Sequence, residues 1–228
     1  MLANIFKNPQ ILNKETHKDL KLSQYKNYEF TKDAYLVPIS LQEILVAAKS
    51  LIIVFVKDQN QEIYPSVVLG GEGGENLLLQ KDLTWKVNTY IPAVLRCYPF
   101  GLGSNDETTY ITLDADAEVL KDEKGKLILK DENDLTEEGQ HAVDFVSEVY
   151  QNINSAKEFT NYIEKLGILK KAEITIEQDG KKLEVKNGIY IVDENSLNKL
   201  ESRKLKKLAT NGSMKLIYAH LLSLNNRY

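Results

Sequence analysis

The sequence predicts an α+β fold in which largely antiparallel sheet carries a long helix and C-terminal helices packed against it. Three patterns predict it. The run Leu51-Ile52-Ile53-Val54-Phe55-Val56 is apolar and β-branched, as a strand covered on both faces requires. From Ala142, the positions Val146, Val149, Ile153, Ala156, Phe159, Ile163 and Leu166 recur at three- and four-residue steps, which puts one apolar stripe on a long helix. Asp179-Gly180, between Ile174-Thr175-Ile176 and Leu183-Glu184-Val185, is a turn pair that tolerates the positive φ of a tight hairpin.

The remaining elements follow in chain order. Gln10 to Leu12 and Asp19 to Leu22 read as short strands diluted by polar residues. After Val37-Pro38, Ser40 stands three residues before Glu43, a capping-box spacing that predicts a helix from Leu41 to Lys49. Ile63 to Leu69 and Asn76 to Leu79, separated by Gly70-Gly71-Glu72-Gly73-Gly74, extend the central strand into an antiparallel meander. Pro92 suits the first turn of a helix and Pro99 stops it, so a helix is expected over Ile91 to Tyr98. Thr108 to Leu113 and Leu127 to Leu129 add strands, Gly167 caps the long helix, and Ile189 to Val192 adds a third strand to the late hairpin. Helices are expected around Leu197 to Leu208 and over Met214 to Leu224, the latter capped by Ser213.

A chain of 228 residues with 43% hydrophobic content can bury a substantial core, and one domain over 1–228 is expected, with a seam at the charged stretch 121–138. Its formal charge of −4 offers phosphates no overall attraction, so no nucleic-acid partner is expected. The single cysteine, Cys97, excludes an internal disulfide and a cysteine-based metal cluster. The start, Met1 to Pro9, lacks the basic and long apolar regions of a secretory signal, and Leu51 to Val56 falls far short of the ~20 residues that span a bilayer. A soluble, cytoplasmic protein without a transmembrane segment is the expectation.

Each catalytic pattern tested fails on its own requirements. The glycine run lacks a following Gly-Lys-Ser/Thr, carries Glu72 and Glu75, and reads as a hairpin loop. Asp114, Asp116 and Glu118 alternate after Asp106-Glu107, but an EF-hand needs an interior glycine and a closing glutamate; a solvated strand end is expected. His17, His141 and His220 have no zinc-ligand spacing: His220 reads as a packing histidine and His141 as solvent-facing. Arg96 beside Cys97 favours a thiolate, yet a helix interior hides sulfur, so Cys97 reads as buried packing. The run Arg203 to Leu208 reads as a helix with a solvated basic face, with attachment to an anionic membrane surface as the weaker option. No catalytic residue, metal or cofactor is assigned.

One segment stands apart. Trp85, Tyr90, Tyr98 and Phe100 gather around Pro92, Pro99 and Arg96, and with His220 they form the candidate binding groove: rigid, aromatic, and holding one planar cation donor. Such a groove suits a peptide or a carboxylate; the alternative is that the rings pack the helix and Arg96 pairs with a buried acid.

These residues, with Val37-Pro38 and Glu43, Pro65 to Gly70 followed by Asn76-Leu77, and the ending Ile217-Tyr218-Ala219-His220-Leu221-Leu222-Ser223-Leu224-Asn225, resemble the bacterial SapC family over nearly the whole chain. Cys97 stands where that family is expected to place a second arginine, so a two-arginine clamp is not available. The resemblance implies a surface-layer (S-layer) association and supplies no catalytic residues. The expected function is an S-layer accessory or structural protein acting by protein or peptide binding in production, handling or export of the layer protein. The alternative is a peptide- or small-molecule-modifying enzyme with a site around Arg96, Tyr98 and His220. The expected partner is surface-layer protein or another peptide, and surface association stands beside the cytoplasmic expectation.

Overall fold

The computed structural model describes residues 5–105, 108–130, 134–178 and 181–226. Strands β1 (Pro9–Ile11), β2 (Lys21–Leu22) and β3 (Leu36–Pro38) lead into helix α1 (Leu41–Ala47), followed by β4 (Ile52–Lys57), β5 (Ile63–Val68), β6 (Gly70–Gly71) and β7 (Glu75–Asn76). After the one-turn helix α2 (Ala93–Arg96) come β8 (Phe100–Ser104), β9 (Thr109–Asp114), β10 (Lys126–Leu127) and the long helix α3 (Glu137–Lys165). The chain ends with β11 (Leu169–Lys171), β12 (Ile174–Gln178), β13 (Lys181–Val185), β14 (Ile189–Val192), α4 (Glu194–Asn198), α5 (Ser202–Thr210) and α6 (Ser213–Ser223). The α+β class is the one read from the sequence, and none of these helices is long and apolar enough to cross a membrane.

The central sheet is antiparallel, in the order β11-β14-β4-β5-β3, so strands from both sides of 121–138 share it. Residues 52–56 of β4 and all of β5 are buried, which is why neither strand alternates apolar with polar residues. Ile52, Val54 and Val56 face Ile176 and Val185 of the β12–β13 hairpin, whereas Ile53 and Phe55 face the helices, with Phe55 packed among Phe159, Ile163 and Ile217. The predicted apolar stripe from Val146 to Ile163 is buried as expected, with Leu166 only partly so. Helix α3 packs on β5 and also on β8 of a second sheet, ordered β1-β9-β8. The Thr160 hydroxyl donates to the Ile63 carbonyl at 2.6 Å and fixes the register of α3 on β5.

Several elements depart from the sequence reading. The third strand of the meander is β3, which pairs with β5; of Asn76 to Leu79, Asn76 joins the two-residue ladder of β7 with β6 and Leu79 makes an isolated bridge to Trp85. Strand β14 leaves the late hairpin and inserts between β11 and β4, because Ile189 and Val192 are buried by the central sheet. The tip of that hairpin, Asp179-Gly180, lies outside the described residues. Helix α3 starts earlier than the apolar stripe read from Ala142: Thr136, six residues before Ala142, is its cap, with its hydroxyl accepting from the Gly139 amide at 3.1 Å. The helix expected over Leu197 to Leu208 is two, α4 and α5. At α6 the cap position belongs to Gly212, at φ 81°, and Ser213 is the first helical residue.

The glycine run is a hairpin loop, as read, but Glu72 works within it. Its carboxylate accepts from the amides of Lys186 and Asn187, both at 2.8 Å, and so ties the loop to the β13–β14 turn. A Cβ at Gly70 would stand 1.7 Å from the Glu75 carbonyl oxygen, a backbone atom that cannot swing away. Gly70→Ala is therefore expected to lower stability by more than about 2 kcal/mol, near the top of the range for overpacking, as read by urea denaturation.

Candidate functional site

The Tyr90 to Phe100 segment is held at both ends by buried carboxylates. Glu43, at the third position of α1, reaches back as a capping box requires: one oxygen accepts from the Ser40 amide and hydroxyl, both at 2.9 Å. Its other oxygen accepts from the Ala93 amide at 2.7 Å and the Tyr90 hydroxyl at 3.1 Å. A side chain from α1 thus caps α2. Pro92 lies before the helix, at ψ 139°, and the helix expected over Ile91 to Tyr98 contracts to a single turn ending at the Cys97 cap. Burial, and then the Glu43 carboxylate, push the Tyr90 phenol up to about 12.

At the far end, the Tyr98 hydroxyl donates to Asp114 at 2.9 Å. Asp114 is fully buried and also accepts from the amides of Lys7, Asn8 and Asp116 at 3.0, 2.9 and 3.2 Å. The solvated strand end read from Asp114, Asp116 and Glu118 is corrected here: Asp116 and Glu118 are exposed, but Asp114 turns inward. Burial alone would raise its pKa; the amides of Lys7 and Asn8, with the Tyr98 hydroxyl, outweigh it and hold the carboxyl below its ordinary range. The Tyr98 phenol moves up, first by burial and then by the Asp114 charge.

The aromatic residues of the segment line the interior. Tyr98 stacks on Phe30 at 4.0 Å with the planes 4° apart, and Tyr28 links Phe30 to Trp85 at 6.1 and 5.7 Å. Phe100, Pro92 and Pro99 are buried, the last after a cis peptide bond, and the Trp85 indole nitrogen is buried without a hydrogen-bond partner among the described residues. The small cavity beside Tyr98, about 80 Å³, is walled by Tyr25 and Phe30, with Lys7, Asp116 and Glu118 among its polar lining. Cys97 is buried, and desolvation pushes its thiol up to about 12 despite the opposing pull of Arg96, so it is packing.

Arg96 alone of the segment from Pro92 to Phe100 is exposed. Its guanidinium carbon sits 5.5 Å from the centre of the Phe145 ring on α3, a cation–π contact. No carboxylate lies within ion-pairing distance among the described residues, so the buried acid expected as its structural partner is absent there; Glu43 is engaged elsewhere.

His220 is not brought to Arg96 and Tyr98. Its Nδ1 donates to the Ile53 carbonyl at 2.9 Å and its Nε2 accepts from the Val192 amide at 3.1 Å. Strands β14 and β4 pair at Ile189 with Val56 and at Tyr190 with Phe55; the same register sets Val192 opposite Ile53. The imidazole occupies the place of that ladder bond. Ser223, one turn on, accepts from the Ile53 amide at 3.0 Å and completes the repair.

Sequence reasoning assigned no part to Asp114 beyond a cation test and none to Tyr25, Tyr28 and Phe30. The available signal was their aromatic spacing, Tyr25-x-x-Tyr28-x-Phe30, ahead of the first strong strand. The SapC family model matches residues 12–227. The chain belongs to the SapC family. No curated protein and no solved structure matches it. The blocks that resemble SapC therefore supply the capping carboxylate Glu43, the pinned 90–100 segment and the His220–Ser223 wedge.

Two outcomes follow. Glu43→Ala leaves two amides, the Ser40 hydroxyl and a phenol without their acceptor, and should cost about 3 kcal/mol by urea denaturation. Burial lowers His220 to about 4 against an ordinary 6.5. Between those values the unfolded chain binds the extra proton, so stability rises with pH across pH 4 to 6.5 and falls on acidification, by about 3 kcal/mol in all. In His220→Gln that part of the pH slope should vanish, measured against the native protein in the same buffers.

Proposed function

We propose that this SapC-family protein is an accessory or structural component of the surface-layer system, binding the layer protein or a peptide segment of it during production, handling or export. Family membership supplies the context. The observation that carries the binding role is Arg96: an exposed guanidinium, backed by Phe145, in the middle of a segment whose other polar groups are committed inward. The Phe145 ring beneath one face of the guanidinium and the Tyr90 hydroxyl at its edge hold it in place, and the remaining N–H groups of its planar fork can grip a carboxylate. Pinning by Glu43 and Asp114 lowers the ordering cost of presenting that fork.

Surface plasmon resonance with purified layer protein should show saturable binding that Arg96→Ala weakens about tenfold, with Arg96→Lys restoring only part because it lacks the fork. The thermal midpoint of both variants should stay within about 2 °C of the native value, since the side chain is exposed. No enrichment of layer protein on the immobilised chain, together with normal layer assembly in a deletion strain, overturns the proposal.

A further inference from the structure

Four of the seven exposed large apolar side chains among the described residues, Leu45, Val46, Tyr218 and Leu222, belong to α1 and α6. The two helices run side by side in the same direction. Leu41 at the start of α1 and Leu216 near the start of α6 line one cleft, and at the other end Asn226 Nδ2 donates to the Ala48 carbonyl at 2.9 Å. Leu45 stands one turn beyond Leu41, on the flank of α1 that faces α6. On α6 the buried positions Ile217 and His220 turn toward the sheet, so Tyr218 and Leu222, four residues apart, hold the outward face. Leu45, Tyr218 and Leu222 therefore form one apolar patch, and Leu222 is 71% exposed within it.

The second observation is the charge around the patch. Lys49 and Lys215 are exposed on the same outward faces. Helix α5 packs beside α6 through Leu205 and Leu208 and turns Arg203 and Lys206 to solvent. Residues 199–226 carry six lysines and arginines against one acid, Glu201, in a chain whose formal charge is −4. The acid of α1, Glu43, is buried in its capping box and offers these cations nothing. An apolar patch bordered by cations of one sign limits its occupant. A second copy would bring the same lysines against Lys49 and Lys215, and the outward helix surfaces enclose no small ligand. An anionic bilayer surface supplies both complements: apolar depth for the patch and negative headgroups for its border.

We propose that the outer face of α1, α5 and α6 docks on a lipid surface that carries anionic headgroups. Leu45, Tyr218 and Leu222 enter the boundary between headgroups and acyl chains, and Lys49, Lys215 and the α5 cations lie against the headgroups. Tyr218 suits that depth, with its ring among the chains and its hydroxyl in the polar layer. The basic run read from the sequence as a solvated helix face thus gains an apolar neighbour that the sequence did not place beside it. Arg96, over Phe145 of α3, takes no part, so the surface stands independently of the layer-protein reading.

Sedimentation of the full chain with phosphatidylcholine vesicles containing about 30% phosphatidylserine tests it. Binding should be saturable, about tenfold weaker to phosphatidylcholine alone, and reduced toward that level in about 0.5 M salt. Leu222→Gln, and Arg203→Gln combined with Lys206→Gln, should each weaken binding about fivefold. Ile11→Gln, at an exposed apolar residue on β1 of the second sheet, and Lys26→Gln, beside Asp122, should leave it unchanged. Circular dichroism confirms that each variant is folded, and Tyr218→Gln replaces Leu222→Gln if the latter is not. No sedimentation with the charged vesicles, equal binding to neutral ones, or an equal loss in Ile11→Gln overturns the proposal. So does a dimer in light scattering that Leu222→Gln dissociates, which assigns the face to a second copy, or equally tight binding to polyglutamate, which assigns it to an acidic polypeptide.

Discussion

The β4–β14 contact holds the two parts of the chain together, and it is an incomplete strand pair. Two pairs form, at Val56 and Phe55, and then the strands separate enough to admit an imidazole. Unmade, the Ile53 carbonyl and Val192 amide would be buried polar groups with no partner, each costing about 1–3 kcal/mol. His220 supplies both a donor and an acceptor, which only its neutral form can do, and Ser223 serves the Ile53 amide. Helix α6 is thereby joined to a strand from the first half and a strand from the second. That fixes the end of α6 that meets the sheet.

Buried acids perform the same task on the other side of the molecule. Glu43 joins α1 to the start of α2, and Asp114 joins the N-terminal segment at Lys7 and Asn8 to Tyr98. Each carboxylate faces donors, several of them backbone amides whose positions cannot drift without moving an element. The 90–100 segment is consequently rigid in its buried half and offers solvent its single planar cation. Its aromatic rings contribute to the core that seats Arg96 and do not themselves form an open groove.

The strands and helices with one dominant pattern were legible because their burial repeats with the geometry of the element. Ile52 to Val56 demanded two covers, and the Val146 to Ile163 spacing demanded one long buried face; both are present. Ser40 and Glu43 were legible as a cap because three residues is the reach of that side chain. The candidate site was legible only in part. Arg96 and the prolines were visible as unusual residues, but Tyr98 meeting Phe30, and Asp114 meeting Lys7, join residues 68 and 107 positions apart, and no local pattern encodes such meetings.

By itself the sequence determined the α+β class, the covered central strand, the long amphipathic helix and SapC membership, all of which depend on spacing and identity along the chain. Only the tertiary structure decided that β14 joins β4 instead of the neighbouring hairpin, that Pro92 precedes its helix, and that His220 completes a sheet far from Arg96 in the chain. Those outcomes turn on which buried donors and acceptors find one another once the layers close. That matching is a property of three-dimensional packing, and periodicity carries no trace of it.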